Sequence, residues 1–242
     1  MSCVDRQTIS PIPDDAFQYD YFPLELGKYL TYQLDSIVYD FASDGSTIQH
    51  VTRTFANEIV VDTIRDQSGV LLYVIERYEL KALNGPWIFK NIITASRSAT
   101  QAVRTEDNLR FLKLVFPMNR RSNWDGNIWI DENREIEIAG ERMRPFINWG
   151  YEVDSINVPA LVSQFSMDST LLVTEADDSN IVERRYSRAR YAKHIGLVWK
   201  EQWILDSQYC NQFPVPADCE SRPWEQKAEK GYILRQTLIG FN

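Results

Sequence analysis

The chain has 242 residues, 44% of them hydrophobic, and 34 acidic against 26 basic side chains give a formal net charge of −8. That length and apolar content suit one large domain with a sizeable core. The acidic balance repels a phosphate backbone and an anionic leaflet, which argues against nucleic acid and against electrostatic membrane binding. No stretch reaches the ~18 apolar residues that cross a bilayer as a helix, so a membrane is expected only through a lipid anchor.

Residues 1–20 open with Met1-Ser2-Cys3 and continue as polar, proline-containing sequence without core-forming periodicity, so they read as a flexible tether. A cysteine behind a small residue and ahead of such a leader is the acceptor expected once a lipoprotein signal peptide is removed. Lipidation is therefore expected at Cys3, and with it a cell-envelope address.

Residues 21–242 read as a single antiparallel β domain. Segments 29–39, 48–64, 70–81, 87–96, 108–116, 170–176, 180–191, 195–206 and 232–241 are rich in β-branched and aromatic residues and largely alternate. Turn signals such as Asp66-Gln-Ser-Gly69 and Asp177-Asp-Ser-Asn180 separate them by spacings too short for a crossover helix. The expected fold class is all-β, mainly antiparallel, with little helix. Gly140 to Met167, holding Pro145 and Pro159, reads as long loops and as the place for any helix.

The clearest strand pair flanks Ala192-Lys193-His194. With Tyr191 facing Ile195, Arg185 falls opposite Glu201, and Glu201 shares a face with Ile195, Leu197, Trp199, Trp203 and Leu205. A half-buried ion pair is the expected role of that carboxylate. Further on, Cys210 and Cys219 bracket a turn-rich loop that contains no histidine to complete a zinc site, so a disulfide is expected.

Motifs that carry chemistry are scarce. The two histidines, His50 and His194, lie far apart, and the chain has no Gly-x-Ser-x-Gly elbow, no Gly-x-Gly-x-x-Gly and no phosphate-binding P-loop. Asp125-Gly-Asn-Ile-Trp129 puts an indole where a calcium loop needs oxygen, and Asp177, Asp178 and Asn180 are ordinary turn residues. No metal and no cofactor is expected. Arg184, Arg185, Arg188 and Arg190 form the basic cluster, read as a solvated strand face. Trp87, Trp124, Trp129 and Trp149 lie beside turns, where stacked aromatics can line a rim that binds an apolar or glycan ligand.

Tyr21-Phe-Pro-Leu24 with Gly27 near the start, and Tyr191-Ala-Lys-His-Ile-Gly-Leu-Val-Trp-Lys-Glu201 near the end, resemble motifs of Bacteroidetes envelope lipoproteins. The match departs from the group's pattern at Tyr29 or Leu30, where tryptophan is usual, and at His194, where glycine is usual. The resemblance implies a strongly curved sheet, a barrel or half-barrel, anchored to the outer membrane and facing the periplasm or the surface. It brings no catalytic residues.

Two functions follow as expectations. The first is a non-enzymatic envelope lipoprotein domain that binds a ligand or an envelope protein through its curved sheet. The alternative is an envelope hydrolase of glycans or esters using carboxylates such as Asp131, Glu132 or Glu201.

Overall fold

The computed structural model describes residues 17–82 and 85–242. Cys3 and most of the expected tether lie outside the described residues. Fourteen strands follow in order: β1 (Tyr29–Phe41), β2 (Thr47–Arg65), β3 (Leu71–Leu80), β4 (Ile88–Arg97), β5 (Gln101–Glu106), β6 (Leu109–Val115), β7 (Asn123–Trp124), β8 (Ile136–Ile138), β9 (Glu141–Met143), β10 (Tyr151–Val162), β11 (Phe165–Ser179), β12 (Glu183–Ala192), β13 (Gly196–Asp206) and β14 (Lys230–Phe241). One short α-helix, α1 (Trp224–Lys227), precedes β14.

Twelve strands form one antiparallel sheet in the order β6-β5-β4-β3-β2-β1-β14-β13-β12-β11-β10-β7, while β8 and β9 pair separately. The first and last long strands therefore lie side by side, and the sheet grows outward from them in both directions. Its two edges then meet through one residue. The Leu112 N–H of β6 donates to the Gly126 carbonyl just after β7 (2.8 Å), and the Trp124 indole N–H donates to the Leu112 carbonyl (2.9 Å). The result is a nearly closed barrel-like sheet, which leaves few unpaired edge groups.

The segment 140–167 contains strand where long loops and any helix are expected. It holds β10, a twelve-residue strand, and the α-helix lies elsewhere, at Trp224–Lys227. The pairing of β10 with β11 skips Asp154 and Asn157 and then sets Pro159 against Asp168 and Ser169, and these irregularities break the two-residue alternation by which strands are recognised.

The β12–β13 hairpin also differs from expectation. Its connection is Lys193–Ile195, so Ala192 pairs with Gly196 and Tyr191 with Leu197. One further residue, Val198, is then skipped, which sets Arg188 opposite Glu201 and Arg185 opposite Ile204. The left-handed backbone at His194 (φ 63°) and Gly196 (φ 102°) is what shifts the turn by one position. His194 adopts there a conformation that favours glycine.

Both barrel faces are covered in part. Phe22 and Leu24, ahead of β1, pack inside against Val60, Ile75, Ile93 and Ala95. Outside, the excursion between β13 and β14 folds back so that Trp224 and Ala228 cover Ile37, Tyr39, Trp203, Leu205 and Ile233. Cys210 and Cys219 are bonded within that excursion, with Cα atoms 5.2 Å apart.

Candidate functional site

The barrel holds a cavity of about 290 Å³ that is partly open to solvent, and its lining changes character along the barrel axis. One end is apolar, formed by Phe22, Leu24, Leu30, Val60, Ile93 and Leu197. The other is ionic, formed by Glu58, Arg77, Arg104, Glu106, Lys113 and Lys200, with Glu79, Lys90, Asn91 and Asp107 beyond them.

The ionic groups are organised around two buried carboxylates. Glu58, 4% exposed, accepts from Arg77 (3.1 Å) and Arg104 (2.7 Å). Arg77 also reaches Glu79 (3.6 Å), and Arg104 also donates to Glu106 (3.0 Å). Glu175, 1% exposed, is bound by Lys113, by Lys200 (3.1 Å) and by the Ser187 hydroxyl (2.7 Å). Burial alone would raise the Glu175 pKa, but Lys113 and Lys200 outweigh it and hold the carboxyl down at about 2. Burial pushes the Lys113 ammonium down to about 8, with Lys200 adding to the shift and Glu175 opposing it.

Strand irregularities place these charges. Lys113 is the residue skipped where Ala102 pairs with Leu114 and Val103 with Leu112. Glu175 is skipped where Thr174 pairs with Arg188 and Ala176 with Ser187, and Lys90 where Arg77 pairs with Asn91 and Tyr78 with Phe89. A bulge re-aims a side chain that strict alternation would place elsewhere. Lys113 and Leu114 are consecutive and both buried for that reason.

Sequence reasoning did not find this site. The available signal was charge inside apolar strand sequence, as in Phe111-Leu-Lys-Leu-Val115 and Leu171-Leu-Val-Thr-Glu175. Each taken alone reads as an ordinary half-exposed strand residue. Only the closure of the sheet brings β6 and β11 together across the interior.

The residues nominated from the sequence lie elsewhere. Trp124 and Trp149 join Tyr151 in an aromatic cluster, with ring centroids 5.6 and 6.1 Å from the tyrosine. Trp129 is exposed beneath the Arg110 guanidinium (4.0 Å), and Trp87 is exposed at the start of β4. None of the four tryptophans lines the cavity. Glu201 lies outside it as well, accepting from Arg235 (2.6 Å) and the Trp203 indole (3.0 Å), while Asp131 and Glu132 are exposed in the loop after β7. The basic cluster disperses. Arg184 pairs with Asp177 (2.6 Å), fully buried Arg185 pairs with Asp206 (2.8 Å), Arg188 lies 3.8 Å from Asp154, and Arg190 donates to the Thr170 hydroxyl (2.9 Å). At the turns, Asp125 accepts from the Asn127 N–H and Asn180 from the N–H groups of Val182 and Glu183.

No protein-family model matches the chain, and no curated protein does. Two solved structures are similar over nearly their full length. One, from Bacteroides fragilis, is provisionally described as an exported protein with a YmcC-like fold; it is 12% identical, with 91% of this chain and 98% of that one covered at a TM-score of 0.43. The other, from Parabacteroides distasonis, is provisionally described as a lipoprotein; it is 10% identical, with 92% and 98% covered at a TM-score of 0.39. Among the described residues, no helix is long and apolar enough to cross a membrane.

Proposed function

We propose that this chain is a non-enzymatic envelope lipoprotein domain that binds a small amphipathic ligand inside its barrel. The observation that carries the reading is the graded cavity, apolar beneath Phe22 and Leu24 and ionic from Glu58 to Lys200. A cavity with an apolar wall and a few convergent polar groups is the usual form of a small-molecule site. Asn91 adds to it, since it donates to Asp107 (2.8 Å) and leaves its buried Oδ1 without a partner. The envelope address rests on the Cys210–Cys219 bond, which persists in oxidising compartments, and on Cys3 as lipid acceptor. Trp87 and Trp129, which are exposed, retain a different role, as surface contacts for an envelope protein.

The test uses N-phenyl-1-naphthylamine, whose emission rises in apolar surroundings. It should bind at one site, and Leu197→Trp, which fills the apolar end, should abolish the signal while leaving the melting temperature within a few degrees. Equal binding by that variant would move the ligand site out of the barrel.

A further inference from the structure

Resting on that reading, we propose that the cavity's occupant is a neutral amphiphile, a single alkyl chain with a hydroxyl-bearing head. The interior charges cancel among themselves. Arg77, Arg104, Lys113 and Lys200 stand against Glu58, Glu79, Glu106 and Glu175, four against four, and each has an opposite partner within 3.6 Å. The polar groups nearer solvent are engaged too. Lys28 donates to the His194 carbonyl (2.7 Å), Lys90 lies 3.6 Å from Glu79, and Asp107 accepts from Asn91 (2.8 Å). A charged head of either sign would lose water on entry and find no counter-charge left to receive it, which is costly.

The hydrogen-bonding capacity that remains belongs to amides. Gln202 lines the cavity two residues along β13 from Lys200, and so on the same face. Among the described residues no side chain or backbone group hydrogen-bonds its amide. Asn91 brings the buried Oδ1 that has no partner, and Gln236, opposite Lys200 across the ladder, adds a third amide to the lining. An amide both donates and accepts, a carboxylate only accepts and an ammonium only donates. A hydroxyl meets both needs and brings no charge. The apolar end then receives the chain, and about 290 Å³ is at the small end of ligand cavities, which suits one chain.

The experiment is displacement of N-phenyl-1-naphthylamine by 1-decanol, decanoate and decylammonium, which share a chain length and differ in the head. Decanol should displace at a concentration at least about tenfold lower than either ion. A purely apolar cavity would also prefer the alcohol, so the head-group assignment is read from Gln202→Leu, which keeps the bulk of the side chain and removes its amide. That variant should bind decanol about fivefold more weakly, the effect of one lost hydrogen bond, and the naphthylamine as before. If Gln202→Leu does not fold, methyl nonyl ether decides on the wild type: it matches decanol in heavy atoms but cannot donate, and should bind about fivefold more weakly than decanol. Undiminished decanol binding by Gln202→Leu, ether binding equal to decanol, or an ion binding as tightly as decanol would each overturn the neutral-head assignment and leave the cavity reading standing. Failure of the naphthylamine itself to bind would overturn the cavity reading.

Discussion

At the scale of single residues, Glu175 matters most, because the buried Lys113 ammonium and the partly buried Lys200 ammonium both depend on it. Glu175→Gln leaves Lys113 and Lys200 without their counter-charge and should cost about 3–5 kcal/mol, the range for breaking a buried pair, measured by urea unfolding at neutral pH. The acid dependence follows in sign. With a folded pKa of about 2 against an ordinary 4.5, the carboxylate's contribution is complete above pH 4.5 and is lost as pH falls from 4.5 towards 2. The wild type should lose stability through that window, and the Gln variant should lack Glu175's share of the loss. Glu201 provides the contrast. Its partner Arg235 is half exposed, and a glutamine oxygen can still accept from Trp203, so Glu201→Gln should cost under about 1 kcal/mol. A larger loss would mean that the outer-face pair carries weight its exposure denies.

Among the elements, the seam between β6 and β7 is the weak point of the barrel. A Cβ on Gly126 would come within 2.2 Å of the Tyr151 ring, and the Gly126 carbonyl holds Leu112. Gly126→Ala should therefore cost about 1–3 kcal/mol by overpacking, with faster amide exchange at Leu112 as the local sign. Exchange unchanged at Leu112 would show that the seam tolerates a displaced ring. The elements also show what a sequence can and cannot disclose. The long strands, β1 to β4 and β12 to β14, were legible from their β-branched and aromatic residues and the turn residues between them, and β12 and β14 also bury alternate residues for most of their length. β5 was missed as a six-residue strand behind a tight turn, and β10 because its extra residues erase the period. The β12–β13 register was missed by three residues at Arg188 and Glu201, two from the placement of the turn and one from Val198.

For the whole molecule, the all-β antiparallel architecture was legible, and so was the disulfide. The site was not, for a physical reason. Its charges come from strands far apart in the chain, Glu58 on β2, Arg104 on β5, Lys113 on β6, Glu175 on β11 and Lys200 on β13, and they meet only because the sheet nearly closes on itself. Two of them, Lys113 and Glu175, are bulge residues whose direction no periodic pattern specifies. The barrel and its interior charge are thus one feature, and a ligand held in this interior should be visible by methyl-resolved NMR of the protein titrated with N-phenyl-1-naphthylamine. Shift changes are expected at the methyls of Leu24, Leu30, Leu197 and Leu234, which line the cavity, and none at exposed Val51 and Leu161; changes confined to the exposed methyls would place the ligand outside the barrel.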